Sequence, residues 1–251
     1  MIREGDRIVL IDVRGKKYLT RAERRKLQTS QGVVDLEAAI GAEPGARIRS
    51  HLGREFVVLP PSATDYLQKL RRVPQIMLPK DAAQIVANTG VGPGSMVVDA
   101  GAGSGALAIF IGNLVRPDGR VVSYEIREDF ARVAEENVKM AGLDGVVTVK
   151  LKDIYSGIDE KDLDLVTIDL PSPELVLPHA ERSLKPGGYL AVFAPCVEHL
   201  QRFYRAAADF RFTELRTIEC LVRDILVTEK GTRPGSRMIA HTGYLTFARR
   251  V

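Results

Sequence analysis

The chain has 251 residues, 45% of them apolar and 27% charged, with a formal net charge of +4. Those proportions suit a globular core and exclude collagen-like, low-complexity or disordered chains, and charges or glycines interrupt every apolar run before it reaches the length of a membrane span. Two cysteines, Cys196 and Cys220, are too few for a secreted disulfide framework or a zinc site and read as small buried residues, with a disulfide within or between subunits as the alternative in a hyperthermophile.

Residues 1–60 read as β-rich. RIVLIDV, KYLTR, GVVDL and REFVVLP are short runs with β-branched residues, separated by turns such as Arg14-Gly15 and Pro44-Gly45. The opening stretch alternates charged and apolar residues and lacks the continuous apolar segment of a signal peptide, so a cytoplasmic location is expected. Residues 1–30 carry nine Lys and Arg against four Asp and Glu, an excess of +5. Such clustering suits contact with a polyanion through its phosphates, or forms a solvated face. Pro60-Pro61 and the polar stretch 62–65 mark a boundary. The expected organisation is a small β-rich domain at 1–65 and a larger domain at 66–251.

From about residue 80, short apolar strands alternate with amphipathic helices. DAAQIVANTG, GALAIFIGNLV, REDFARVAEENVKMAG, PELVLPHAERSL and VEHLQRFYRAAADF read as helices, and SMVVDAG, RVVSYEI, VVTVKLKD, LDLVTIDL and GGYLAVFAP as strands. This alternation predicts an α/β fold with a mostly parallel sheet covered on both faces. Two final strands, ELRTIECLVRDILV and HTGYLTFARR, have no helix between them and read as an antiparallel hairpin with the loop EKGTRPGSR.

Strand, glycine turn and helix meet in VVDAGAGSGALAIFIG at 97–112. Gly101, Gly103 and Gly105 let a ligand lie against the backbone at a helix N-terminus. The spacing fits the dinucleotide fingerprint GxGxxA, and no Gly-Lys-Ser/Thr follows, so it is not a P-loop. Four acids end successive strands: Asp99, Glu125, Asp153 and Asp169. Ligands of open α/β sheets bind beyond the carboxyl ends of the strands, so the four converge on one crevice. A row of acids suits a cationic cofactor without phosphate, and would repel a pyrophosphate. S-adenosylmethionine, a sulfonium with an ammonium, a ribose and an adenine, meets that description, which makes a nicotinamide oxidoreductase the weaker reading. The hairpin at the sheet edge resembles the class I (Rossmann-like) methyltransferase sheet. His51, His179, His199 and His241 are scattered and are expected to be structural; no metal is expected.

Several stretches resemble the tRNA (adenine-N1)-methyltransferases that act on T-loop position 58. RRVPQIMLPKDAAQIV at 71–86 resembles the entry segment over the cofactor, VVDAGAGSGALA the cofactor loop, DLPSP at 169–173 the catalytic strand end, and FAPCVEHLQR at 193–202 the segment after the fifth strand. The resemblance covers roughly residues 50–250. It departs at Leu78, where members commonly carry an aromatic residue.

The resemblance implies transfer of a methyl group from S-adenosylmethionine to N1 of adenosine 58, and also of the adjacent 57 in some archaeal relatives. Asp169 would accept a hydrogen bond from the adenine N6 amine, Glu125 would hold the cofactor ribose, and Asp153 its adenine amine, with the Ile154 N–H on a ring nitrogen. Gly101, Gly103, Ser104, Gly105, Ala106 and Leu107 would wrap the methionine portion, with Met77 packed on the cofactor. The basic N-terminal stretch and residues 230–237 are candidates for tRNA contact, and a homotetramer is expected. The rival readings are a small-molecule methyltransferase of the corrin-biosynthesis or isoaspartyl-repair type, and a tRNA-binding partner subunit without catalysis. The glycine loop, Glu125, Asp153 and Asp169 are all present, which weighs against the last.

Overall fold

The computed structural model describes residues 1–71, 73 and 76–251. The chain forms two compact units, Met1–Leu70 and Arg71–Val251. The first contains β1 (Arg7–Asp12), β2 (Lys17–Arg21), β3 (Lys26–Thr29), β4 (Gly32–Asp35), β5 (Arg47–Arg49), β6 (Glu55–Leu59) and α1 (Ala63–Lys69). An antiparallel sheet has the order β2-β1-β6-β5, and β3 and β4 form a separate hairpin. Strand alternation sends Ile8, Leu10, Phe56 and Val58 into a core shared with Val34 and Leu36. The sequence reading misses β3 and β5 because each offers one apolar residue, Leu27 and Ile48.

The boundary expected at 65/66 falls inside α1, and the units divide at 70/71 instead. Ser62 and Asp65 form a reciprocal capping box that starts this helix. Asp65 also accepts a hydrogen bond from Lys17 Nζ at 2.6 Å, which ties the helix to the small unit. The polar stretch is therefore a helix start and not a linker. Part of the basic N-terminal charge is neutralised within the unit, Lys17 by Asp65, Arg24 by Glu4 and Arg25 by Glu23.

In the second unit follow α2 (Pro79–Thr89), β7 (Met96–Ala100), α3 (Ala106–Val115), β8 (Arg120–Glu125), α4 (Glu128–Ala141), β9 (Val147–Leu151), β10 (Leu163–Ile168), α5 (Leu177–Ser183), β11 (Leu184–Ala194), α6 (Val197–Ala207), β12 (Phe212–Glu219), β13 (Ile225–Thr228), β14 (Gly231–Pro234) and β15 (Tyr244–Arg250). Seven of these strands make one sheet in the order β12-β15-β11-β10-β7-β8-β9. Neighbours from β11 to β9 pair in parallel, whereas β15 runs antiparallel to both β11 and β12. The mostly parallel sheet with an antiparallel edge is the architecture expected from the sequence. Buried Val97, Val98, Leu165, Val166 and Leu190 show why these strands read as apolar runs.

The terminal hairpin differs from its expectation. β12 stops at Glu219, and 225–234 fold back on themselves as a separate ribbon, β13–β14, before β15 returns to β12. The expected loop thus contains a strand. A tight turn closes the ribbon, where Thr228 Oγ1 donates to the Gly231 carbonyl at 2.9 Å, and so short a closure forms more readily than a long loop.

Asn137 on α4 is buried and holds two separate segments in place. Its Oδ1 accepts from the Arg71 N–H at 3.0 Å, while its Nδ2 donates to the Arg71 carbonyl at 2.9 Å and to the Ser104 carbonyl at 2.8 Å. One side chain therefore fastens the start of the unit to the glycine loop. Asn137→Ala leaves three backbone groups without their partner and is expected to lower stability by about 1–3 kcal/mol, measured by urea unfolding. A loss under about 0.5 kcal/mol, the size of an ordinary surface change, would contradict this role.

Candidate active site

β7 ends in a turn whose backbone demands glycine. Gly103 and Gly105 have φ of 53° and 76°, a region that side chains with Cβ occupy only under strain. A Cβ on Gly105 would also press on Ala134 of α4 at 3.4 Å. Gly105 caps α3, so the loop opens directly into a helix N-terminus.

Glu125, the last residue of β8, holds this loop. Its Oε2 accepts from the Gly103 N–H at 2.9 Å, and its Oε1 from the Ile126 and Arg127 N–H groups, each at 3.0 Å. These bonds fix the carboxylate while leaving lone pairs for a ligand.

Asp99 lies beneath the loop and is 1% exposed. Ser123 Oγ from β8 and Thr167 Oγ1 from β10 each donate to it at 2.7 Å. Burial raises its pKa to about 6 despite these two bonds, and the negative Glu125 adds to the rise. Asp169 follows β10, and its N–H donates to the Ala100 carbonyl at 2.5 Å. Its carboxylate has no hydrogen-bond partner among the described residues. Burial, then the charge of Asp99, pushes its pKa up to about 7.

The structure brings most of the sequence-predicted residues together. Met77, Gly101, Gly103, Ser104, Ala106, Leu107, Asp99 and Asp169 line one narrow hollow. Asp153 stands at the end of β9, where its Oδ1 caps a short turn by accepting from the Tyr155 N–H at 2.9 Å. Ile154 buries its side chain in the sheet core, leaving its backbone for any ligand contact. Neither Asp153 nor Ile154 lines that hollow. Of the entry segment 71–86, positions 72, 74 and 75 lie outside the described residues.

Asp169 and Met77 also line a second, larger cavity of ≈ 360 Å³. Leu78, Leu170, Phe193 and Ile239 make its wall largely apolar, and His199 and Thr242 add polar groups. Asp169 thus stands where two spaces meet, one walled by the glycine loop and one large enough for a planar organic group.

Sequence reasoning missed the residues that brace this cavity. Partly buried Lys80 and buried Asp81, in the first turn of α2, pair at 2.8 Å. Lys80 Nζ donates to Thr242 Oγ1 at 2.6 Å and to the Cys220 carbonyl at 2.7 Å, and the Thr242 hydroxyl donates to Asp81 at 2.9 Å. The lysine and aspartate sit within the quoted motif QIMLPKD, but nothing local marks Thr242. Cys196 and Cys220 are free and partly buried.

Next to Thr242, His241 bridges Glu219 Oε1 at 2.6 Å and the Pro195 carbonyl at 2.8 Å. Both partners accept, so this setting favours the doubly protonated ring, in which both nitrogens donate. The Glu219 bond, then the Pro195 bond, accordingly raises its pKa. His179 is a structural link: its Nε2 donates to the Tyr155 carbonyl at 2.9 Å and its Nδ1 accepts from Arg182 at 2.9 Å. His51 likewise accepts from the Val33 N–H at 2.8 Å. His199 differs. Its Nδ1 is shut off from solvent and has no hydrogen-bond partner among the described residues.

The donor set fits a cation. Two carboxylates face a hollow walled by glycine backbone, and Glu125 and Asp153 add acceptors at adjacent strand ends. A sulfonium-containing nucleoside matches this set, and a pyrophosphate does not. No cluster of potential metal ligands occurs among the described residues.

The sequence and the fold agree with known proteins. The family model described as "tRNA methyltransferase complex GCD14 subunit" matches residues 56–232. A tRNA (adenine(57)-N(1)/adenine(58)-N(1))-methyltransferase, TrmI, of Methanocaldococcus jannaschii is 36% identical, over 96% of this chain and 94% of its own. The tRNA (adenine(58)-N(1))-methyltransferase TrmI of Thermus thermophilus is 32% identical, over 97% and 96%. Among solved structures, a SAM-dependent O-methyltransferase from Thermotoga maritima superposes with a TM-score of 0.91 at 34% identity, covering 100% of this chain and 94% of that one. The sheet order is thus that of the class I S-adenosylmethionine-dependent methyltransferases, and the chain belongs to the GCD14/TrmI family of tRNA methyltransferases.

Proposed function

We propose that this protein transfers a methyl group from S-adenosylmethionine to N1 of adenosine 58 in the T-loop of tRNA, giving 1-methyladenosine, with adenosine 57 as a further target. The observation that carries the reading is the Asp169 carboxylate, without a hydrogen-bond partner among the described residues, at the junction of the glycine-loop hollow and the larger cavity. The match to the family model spans the DLPSP and PCVEHLQR segments as well as the glycine loop, and so weighs against the small-molecule, corrin-type alternative. S-adenosylmethionine would supply an electrophilic methyl on a cationic sulfur.

The residues of this chain divide the work. Gly101, Gly103, Ser104, Gly105, Ala106 and Leu107 would hold the methionine portion, with Met77 against the cofactor. Glu125 would accept from the ribose hydroxyls. Asp153 would accept from the cofactor's adenine amine, beside the Ile154 N–H. Adenine N1 carries its lone pair in the ring plane and needs no strong base, so the protein's task is to take the base out of the T-loop and aim N1. Asp169 would accept from the target N6 amine, orienting the ring and stabilising the positive charge that develops on it. Basic residues of 1–30 and 230–237 are the proposed tRNA contacts, in keeping with a cytoplasmic enzyme.

The exposed ribbon supports the homotetramer. Leu221, Val222, Ile225, Leu226, Val227 and Ile239 are all more than 40% exposed. A two-stranded ribbon has little stability alone, and an apolar patch of this kind marks a contact surface. Another copy of the chain is the proposed cover.

Purified protein incubated with unmodified tRNA transcript and S-adenosylmethionine is expected to yield 1-methyladenosine on nucleoside analysis. Asp169→Ala is expected to lose at least a hundredfold in kcat, the scale of a lost electrostatic contact to the transition state, while keeping tRNA affinity. Turnover near that of the unaltered protein would remove Asp169 from the mechanism.

The raised pKa values of Asp99 and Asp169, about 6 and about 7, make cofactor binding pH-dependent. A cationic ligand favours the ionised carboxylates, so binding should expel protons. Affinity for S-adenosylmethionine is then expected to rise with pH through about 6–7 and level off above it. Calorimetry at pH 6.5 in buffers of different ionisation enthalpy should register the release, and Asp169→Asn should reduce it. An unchanged heat across buffers would contradict the charge assignment.

Val227→Glu is expected to reduce the mass found by light scattering from four chains to fewer. A tetramer indifferent to this change would place the interface elsewhere.

A further inference from the structure

We propose that His199 is a specificity residue that donates a hydrogen bond to N7 of the target adenine. The inference rests on the adenosine reading above and deepens it.

The argument is one of donors and acceptors. With N1 turned toward the methyl group and N6 donating to Asp169, the remaining acceptor on the same side of the purine is N7, next to N6 on the major-groove edge. Inside a largely apolar cavity that nitrogen needs a donor. The polar side chains lining the cavity are Asp169, His199 and Thr242. Asp169, ionised, only accepts. Thr242 has committed its proton to Asp81 and one lone pair to Lys80. Pro171 and Pro195, also on the wall, have no N–H to offer. Among the described residues, His199 is therefore the one side chain lining the cavity with an uncommitted donor.

Its placement makes the same point. The ring lies on the cavity wall, and since its Nδ1 is shut off from any molecule the size of water, the ring nitrogen left to face the cavity is Nε2. The other three histidines all have ring partners. A neutral imidazole protonated on Nε2 donates to N7 and requires no change of charge. Together the two side chains would read the base: His199 requires the N7 that pyrimidines lack, and Asp169 requires the amine that guanine replaces with a carbonyl.

The test replaces one atom of the substrate. A tRNA carrying 7-deazaadenosine at position 58 keeps N1 and N6 and replaces N7 with C–H. The unaltered protein is expected to methylate it with a kcat/KM roughly tenfold below that for the natural transcript, the scale of one hydrogen bond with an unmet partner. His199→Leu should be slow on both transcripts and no longer distinguish them. His199→Gln, which keeps an N–H in a similar place, should retain part of the discrimination. A merely structural His199 would slow both substrates without altering their ratio. Equal rates of the unaltered protein on both transcripts, or equal discrimination by His199→Leu, would overturn the assignment and leave the proposed function standing. If neither transcript gave 1-methyladenosine, the proposed function would fall and the role of His199 with it.

Discussion

The carboxylate of Asp99, enclosed within the sheet, is the constraint around which the site is built. It survives there because β8 and β10 each present a hydroxyl at the matching register, Ser123 and Thr167. A buried acid without such bonds would be far more costly. Its charge in turn keeps Asp169 reluctant to ionise, and Glu125 stands near enough to act on Asp99 itself. Three acids at three neighbouring strand ends form a surplus of negative charge that a cation relieves. That electrostatic imbalance, more than the glycine pattern, separates this pocket from the dinucleotide sites that share its turn.

The loop above Asp99 owes its shape to partners outside it. Glu125 grips the Gly103 N–H and Asn137 grips the Ser104 carbonyl, so adjacent residues are held from β8 and from α4. On the opposite side, the pair Lys80–Asp81 clasps Thr242 and the Cys220 carbonyl. Two elements far apart in sequence thereby share a wall of the larger cavity. Preformed positions of this kind reduce the reorganisation that binding and methyl transfer would require.

Polar groups around the larger cavity matter chiefly through what they have already committed. Lys80, Asp81 and Thr242 answer one another, and His241 is consumed by Glu219 and Pro195. What remains uncommitted is an acceptor, Asp169, and a donor, His199. An apolar pocket with so few free polar groups selects by leaving them unpaired when the wrong ligand enters, which discriminates more strongly than shape alone.

Much of this was legible in the residue order. The alternation of apolar strands with helices predicted the parallel sheet, and acids after four strands pointed at one edge, because the carboxyl ends of parallel strands coincide. QIMLPKD, DLPSP and PCVEHLQR carried the family. The sequence by itself therefore determined the fold class, the cofactor chemistry and the place of Asp169, since each depends on residues close together in the chain or on a strict strand period. It did not reveal β3 or β5, whose single apolar residues leave no period to detect, nor the ribbon β13–β14, where a tight turn competes with a long one. Only the tertiary structure decided that Asn137 joins Arg71 to Ser104, that Thr242 meets Lys80, and that His199 lines the larger cavity without a hydrogen-bond partner among the described residues. Those facts depend on which groups become neighbours across dozens of residues, and on which hydrogen bonds they have then used up, and neither is encoded in local pattern.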